Sequence, residues 1–461
     1  MLLWRKRPTY LFQLDAVPAA RLANSTLAIL ILSQHMLTRK RILIIIATAL
    51  ITGVAVLLVL NLSVGENKVT RRIANLYAID DPQFLLTMGV LLGPAIKGGN
   101  QAKALVNGDE IFPAMLTAIQ QAKRTIAFET YIYWSGEIGQ QFEAALSERA
   151  RAGVKVHVLL DWVGSGKIKE SYLQDMKEAG VQVYRYNPVR WYSLGKLNNR
   201  THRKLLVVDG KIGFTGGVGI ADPWNGHAQD PEHWRDTHFR IEGPAVAQMQ
   251  AAFFDNWVKV TGDVLHGSNY YPPIASIGPH WAQVFTSSPG GGSESMQLMY
   301  LLSIAAARKS MEFSMAYFVP DKLAVQAFVD ALKRGVKVKM IVPGKYADQE
   351  LVRNASRAAW GDLLRAGAEI YEYEPTMYHC KVMIVDNLWT SVGSTNFDSR
   401  SFSVNDEANL NIYDAEFAAA QVKIFEDDLK HSRRFTLSDW ENRPWRQKAA
   451  EQLSGLLSSQ L

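Results

Sequence analysis

The sequence predicts an α/β protein made of two tandem, homologous α/β domains behind one N-terminal transmembrane helix. Three observations predict it. A helix–glycine–strand pattern occurs twice, about 180 residues apart, with β-branched residues in the strands. An apolar run of nineteen residues, Ile42–Leu60, carries no charge and no proline. The composition, 48% hydrophobic and 20% charged over 461 residues, is that of a globular chain of two or three domains. It excludes wholesale disorder, a collagen-like chain and a polytopic membrane protein. The lone cysteine, Cys380, excludes an intramolecular disulfide framework and a cysteine-cluster metal site.

Residues 1–41 read as a basic N-terminal segment. The formal charge of +6 is concentrated there: residues 1–72 hold ten Lys or Arg against two acidic residues, leaving 40 basic and 42 acidic residues for the rest. A near-neutral body argues against a nucleic-acid partner, whose phosphates demand a positive surface. Residues 42–62 read as an uncleaved anchor. A helix over the run is roughly 28 Å long, close to a bilayer core, and Asn61–Gly65 offers no small-residue cleavage site. Seven basic residues precede the run and three follow it closely, which points to a single pass with the body on the far side from the cytoplasm. Met36 is an alternative start, and from there the flanks tie at three against three. Residues 63–100 read as a linker; the run Phe84–Ile96 is too short and too broken by Gly89, Gly93 and Pro94 to span.

The body then repeats, as 101–273 and 274–461. Ala152-Gly153-Val154-Lys155-Val156 is answered by Arg334-Gly335-Val336-Lys337-Val338, and Glu178–Pro188 by Arg365–Pro375. Strand–helix–strand alternation implies largely parallel pairing. The boundary is placed near Tyr270–Pro273. Thirteen residues separate Pro188 from His202, but three separate Pro375 from His379. This insertion, with Arg190, Trp191, Tyr192 and Lys196, is suited either to dip into headgroups or to form a solvated loop.

The next segment carries chemistry. Copy one reads His202-Arg203-Lys204, Asp209, then Gly216-Gly217-Val218-Gly219; copy two reads His379-Cys380-Lys381, Asp386, then Gly393-Ser394-Thr395-Asn396. His and Lys two apart on a strand share a face, so Cys380 faces away. Asp209-Gly210 and Asp386-Asn387 are turn dipeptides, so each motif is a hairpin. Two such pairs brought together suit a phosphodiester. One neutral imidazole attacks phosphorus, the other protonates the leaving oxygen, and the lysines stabilise the phosphoryl oxygens. No metal and no cofactor is needed. A zinc reading is weaker, because lysine is a poor ligand.

At these residues the sequence resembles the phospholipase D superfamily, and within it the bacterial cardiolipin synthases. Trp234–His238, Arg240–Val246, Tyr317–Asp321, and Gly393–Phe402 with Asn405 and Glu407 extend the likeness over roughly residues 85–461. The resemblance implies two phospholipase D-type domains whose hairpins meet at one shared active site. It implies His202 as nucleophile and His379 as general acid and then base, with the reverse assignment open. Lys204, Lys381 and Asn396 would clamp the phosphate, with Ser394 nearby. Asp236 and Glu407 would hold the second ring nitrogens. Asp209 and Asp386 belong to the signature and are counted with the catalytic set, although the turn argument makes them structural. One departure stands out: Gly219 occupies the place of the usual Asn, so Gly219→Asn is expected to hold or raise the rate, with Asn225 a stand-in donor.

The implied activity is a phosphatidyltransferase of the bacterial inner membrane. It joins two phosphatidylglycerols into cardiolipin and glycerol through a phosphatidyl-histidine. Phosphatidylethanolamine or another alcohol is an alternative acceptor. The alternatives are a phospholipase D hydrolase releasing phosphatidic acid, a superfamily nuclease and an inactive membrane scaffold. Trp134 and Trp162 are candidate walls of a lipid pocket. The helix after Pro444, with Leu453, Leu456 and Leu457 on one face, is expected to cap the second domain.

Overall fold

The computed structural model describes residues 38–57, 69, 71–74, 77–188, 198–288 and 295–458. The chain divides into two units, Met1–Leu60 and Asn61–Leu461. The described part of the first is helix α1 (Thr38–Leu57), 20 residues with mean hydropathy 2.1, exposed along its length. Its rise of about 30 Å is enough to cross a bilayer. Arg39-Lys40-Arg41 lie in its first turn. Residues 1–37, with Met36, and Leu58–Leu60 fall outside the described residues.

In the second unit, α2 (Pro82–Val90) starts at an Asp81 cap, whose Oδ1 accepts the Gln83 N–H at 2.8 Å. Phe84 and Met88 are buried in the core of the second half, so this part of the expected linker is core. The first half runs β1 (Lys97–Val106), α3 (Asn107–Gln120), β2 (Thr125–Thr130), α4 (Glu137–Arg151), β3 (Lys155–Asp161), α5 (Glu170–Glu178), β4 (Gln182–Tyr186), β5 (Arg200–Thr201), β6 (Leu205–Val208), β7 (Ile212–Gly216), β8 (Thr237–Glu242) and α6 (Val246–Thr261). The second runs β9 (His280–Ser287), α7 (Ser295–Ala306), β10 (Ser310–Met315), α8 (Lys322–Lys333), β11 (Lys337–Pro343), α9 (Glu350–Ala358), α10 (Trp360–Ala366), β12 (Glu369–Tyr373), β13 (Lys381–Val385), β14 (Trp389–Gly393), α11 (Ser399–Ser403), β15 (Asn405–Tyr413), α12 (Ala415–Leu429), β16 (Ser432–Phe435), α13 (Leu437–Asn442) and α14 (Trp445–Gly455). The repeat boundary at 273/274 lies between α6 and β9.

The halves share one strand order. It is β1-β8-β7-β6-β2-β3-β4 in the first and β9-β15-β14-β13-β10-β11-β12 in the second, with β16 beyond β12. Antiparallel pairing of β1 with β9 joins them. Among the described strands, parallel pairing is confined to β2-β3-β4, to β10-β11-β12, and to short β5 against β15, with isolated parallel bridges such as Arg235 to Tyr378 beside them. The remainder is antiparallel, because tight hairpins such as β6-β7 and β13-β14 return the chain directly. The sheet is therefore mixed rather than largely parallel. Gly180 and Gly367, with φ of 97° and 103°, stop the helices that feed β4 and β12.

The motif strands are apolar throughout because both faces are buried. Leu206 and Val208 of β6 pack with Phe128 and Phe142 under the helices of their own half. Leu205 and Val207 pack in a central core with Val382 and Ile384 of β13. Met383 and Val385 turn to the core of the second half. The central core, with α6 and α12 contributing Phe253, Trp257 and Phe417, locks the two halves together.

Candidate active site

Each histidine is placed by a strand of the opposite half. β5 pairs in parallel with Asn405-Asp406 at the start of β15, and the His202 N–H donates to the Asp406 carbonyl at 2.9 Å. In the other half Arg235 bridges Tyr378, and the His379 N–H donates to the Arg235 carbonyl at 2.7 Å. The residues following Asp406 and Arg235 are Glu407 and Asp236. The backbone register therefore delivers each carboxylate to the other half's imidazole. His202 Nδ1 lies 3.0 Å from both Glu407 oxygens, and His379 Nδ1 lies 2.8 Å from Asp236 Oδ2. With Nδ1–H donating to the carboxylate, Nε2 keeps its lone pair. Lys204 Nζ donates to the His202 carbonyl at 2.9 Å, and Lys381 Nζ to the His379 carbonyl at 2.8 Å.

His202, Lys204, His379 and Asn396 line one cavity of about 620 Å³. Its walls include Tyr131, Trp134, Lys167, Trp224, Trp234, Tyr317 and Asp348. Burial, above all, pushes the imidazoles down, His202 to about 4 and His379 to about 3, and the Lys204 and Lys381 ammoniums add to it. Both rings are thus neutral at pH 7 until an anion enters. Burial also takes Lys204 down to about 7 and lowers Lys381. Burial alone would raise Asp236 and Glu407. Hydrogen bonds and charge from His379 and Lys381, and from His202 and Lys204, hold both carboxyls below the usual range.

The paired His/Lys arrangement on a duplicated fold has counterparts among known proteins. Residues 115–257 and 300–429 match the family described as "Cardiolipin synthase, PLD-like domain". A cardiolipin synthase of Geobacillus kaustophilus is 36% identical over 362 residues, covering 78% of this chain and 72% of that one. Cardiolipin synthase 2 of Bacillus anthracis is 36% identical over 361 residues, covering 78% and 70%. The chain belongs to the cardiolipin synthase family of phospholipase D-like proteins. Its fold is also that of a phosphatidylserine synthase of Haemophilus influenzae, with a TM-score of 0.63 at 15% identity, covering 78% of this chain and 95% of that one.

The signature residues fall into two groups. The His/Lys pairs, Asp236, Glu407 and Asn396 converge; Asn396 Oδ1 is buried without a protein partner. Lys381 is tucked behind His379, its Nζ 3.2 Å from Nδ1. Asp209 and Asp386 stand apart from this group and do not line the cavity. They lie at the far ends of β6 and β13, where Asp209 accepts the N–H groups of Lys123, Arg124 and Thr125, and Asp386 those of Arg308, Lys309 and Ser310. Ser394 stands apart as well: it does not line the cavity, but sits fully buried and donates to Glu407 Oε2 at 2.5 Å. Asn225 does not line the cavity; its Oδ1 accepts the Gly226 N–H at 3.0 Å. Trp134 lines the cavity and Trp162 does not. Cys380 faces away, its thiol pushed up to about 12 by burial. Residues 189–197 of the insertion lie outside the described residues. Sequence reasoning named Tyr317 only within the stretch Tyr317–Asp321 and missed Tyr131, Trp224 and Asp348.

The Gly219 expectation reverses. A Cβ there would come 2.8 Å from Ile132 Cβ and 3.1 Å from the Trp224 ring. Ile132 Cβ cannot swing away as a side-chain tip can, so the insertion overpacks the site at a cost of about 1–3 kcal/mol. Gly219→Asn is expected to lose activity at least about tenfold and to melt earlier. Wild-type turnover by the purified variant would restore the missing-donor explanation.

Proposed function

We propose that this chain is a membrane-anchored cardiolipin synthase that transfers a phosphatidyl group between two phosphatidylglycerols. The observation that carries the reading is the exchange of carboxylates, which aims one imidazole from each half into one cavity beside Lys204 and Asn396. The names of the relatives supply the product, cardiolipin. His202 Nε2 attacks the phosphorus of the first phosphatidylglycerol while His379 gives a proton to the departing glycerol oxygen. The P–O bond to glycerol breaks and a phosphatidyl-histidine forms. His379 then takes the proton from a glycerol hydroxyl of the second phosphatidylglycerol, whose oxygen displaces His202. Lys204, Lys381 and Asn396 hold the phosphoryl oxygens. The anionic diester offsets the two lysine charges that depress the imidazoles, so substrate binding itself favours protonation of His379.

Lipid mass spectrometry on the purified enzyme in phosphatidylglycerol vesicles tests the reading. Cardiolipin with glycerol supports it; phosphatidic acid makes water the acceptor; no turnover defeats it. Because ammonium and imidazole groups supply the charge, exhaustive chelation is expected to leave the rate within about twofold. Loss of turnover that a divalent metal restores would overturn the mechanism.

The body is assigned to the outer face of the inner membrane, from the basic excess before the apolar run that starts at Ile42. Protease added to intact spheroplasts is expected to remove a C-terminal tag. A tag that survives until the membrane is breached places the body in the cytoplasm.

A further inference from the structure

The two orienting carboxylates are held by different donors. In the second half Glu407 Oε2 accepts the Ser394 hydroxyl. The matching residue of the first half is Gly217, which has no side chain to donate and no room for one: a Cβ would fall 2.3 Å from Asp236 Oδ1. The donor comes instead from Trp224. Its indole Nε1 lies 3.0 Å from Asp236 Oδ2, the same oxygen that faces His379 Nδ1 at 2.8 Å. The Trp224 side chain is fully buried, and it has space because Gly219 stands where the second half has Asn396. It sits in a turn, Asp222–Trp224, pinned to α4 by Asp222, whose Oδ1 accepts the Ile138 N–H at 2.9 Å. Trp224 meets the His379 ring edge-on at 5.3 Å, and Trp234 lies tilted against the same ring at 5.6 Å.

We propose that Trp224 is a positioning residue of the transfer reaction. It does for Asp236 and His379 what Ser394 does for Glu407 and His202, and the paired glycines 217 and 219 are the space that admits it. The Thr237 N–H already holds Asp236 Oδ1 at 2.8 Å, and the Asn405 amide Glu407 Oε1 at 3.3 Å; the remaining oxygen, Oδ2 or Oε2, needs a donor of its own to keep the imidazole from tilting. A hydroxyl fills that need in one half and an indole in the other. The indole also walls His379 with aromatic surface, so the two histidines are unequal although their motifs match.

The inference rests on the assignment of His379 as general acid, and the test separates the two. Glycerol release from phosphatidylglycerol vesicles is followed against pH with the full-length enzyme, since the site releases glycerol whatever the acceptor. The charged groups facing His379 are Asp236, Lys381 and Lys204. Trp224→Phe keeps an aromatic ring and removes the N–H, leaving Asp236 more basic and His379 easier to protonate. It is expected to lower kcat roughly tenfold or more with KM within about twofold, and to move the alkaline limb of the profile to higher pH. Ser394→Ala is expected to move the acid limb instead. If Trp224→Phe does not fold, a benzothiophene in place of the indole keeps the shape and lacks the N–H. A folded variant with unchanged kcat and an unmoved profile, or a loss confined to KM, overturns the positioning role. Limbs moved in the opposite order keep that role and overturn the assignment of acid and nucleophile.

Discussion

His202→Ala and His379→Ala each abolish cardiolipin formation, the steady-state rate falling at least about a thousandfold. The reason is that the two rings act on one phosphorus from opposite sides. Without His202 there is no atom to carry the phosphatidyl group. Without His379 the glycerol oxygen leaves unprotonated, and the acceptor hydroxyl has no base. The variants are distinguishable with labelled phosphatidylglycerol and a detergent quench at mildly alkaline pH, where the phosphorus–nitrogen bond to histidine survives. His379→Ala retains a slowly formed labelled protein, while His202→Ala retains none. Both substitutions remove a ring from a cavity wall rather than from a packed core, so the melting temperature is expected to change little. Near-normal turnover by either folded variant defeats the shared-site mechanism, and label on the His202→Ala protein exchanges the two roles.

What the sequence revealed and what it concealed follow from physical causes. The motif strands were legible because burial on both faces writes an unbroken apolar run, Leu205–Val208 and Val382–Val385. Two matching runs with His and Lys before each exposed the pairing of the halves. The turn dipeptides at Asp209 and Asp386 already argued for a structural role, which the trio of backbone donors on each carboxylate bears out. Helix α2 was concealed by Gly89, Gly93 and Pro94, which broke an apolar segment whose Phe84 and Met88 nonetheless pack into the second half. Helix α14 does pack on α9 of the second half, as expected of a cap, but not through its leucines. Leu453 and Leu456 are 66% and 79% exposed, while Glu451, paired with Arg443, is buried. The exchange of carboxylates was not legible at all. It depends on short pairings between the halves, Arg200–Thr201 with Asn405–Asp406 and Arg235 with Tyr378, and local periodicity carries no information about contacts 143 to 205 residues apart.

That exchange yields the second large effect. Asp236→Asn disables His379 and Glu407→Gln disables His202, so each substitution acts on the histidine of the other half. Asp236 accepts from three donors: His379 Nδ1 and Trp224 Nε1 on one oxygen, and the Thr237 N–H at 2.8 Å on the other. An amide offers one oxygen and one NH₂, so at least one buried donor must face another donor. The ring then turns or takes the wrong tautomer. Its protonation falls further as well, because the Asp236 charge and hydrogen bond are what raise His379 against burial. Glu407 is caged in the same way by His202, by the Ser394 hydroxyl and by the Asn405 amide at 3.3 Å. Replacing a buried orienting carboxylate in a comparable Ser-His-Asp triad costs about 10⁴ in kcat, and a loss of at least about a hundredfold is expected here. Quench experiments separate the two variants: Glu407→Gln forms no labelled phosphoenzyme, whereas Asp236→Asn forms it slowly. If Glu407→Gln instead impairs only the later step and Asp236→Asn only the first, the carboxylates serve the histidines of their own halves during catalysis, and the crossed wiring is not the working one.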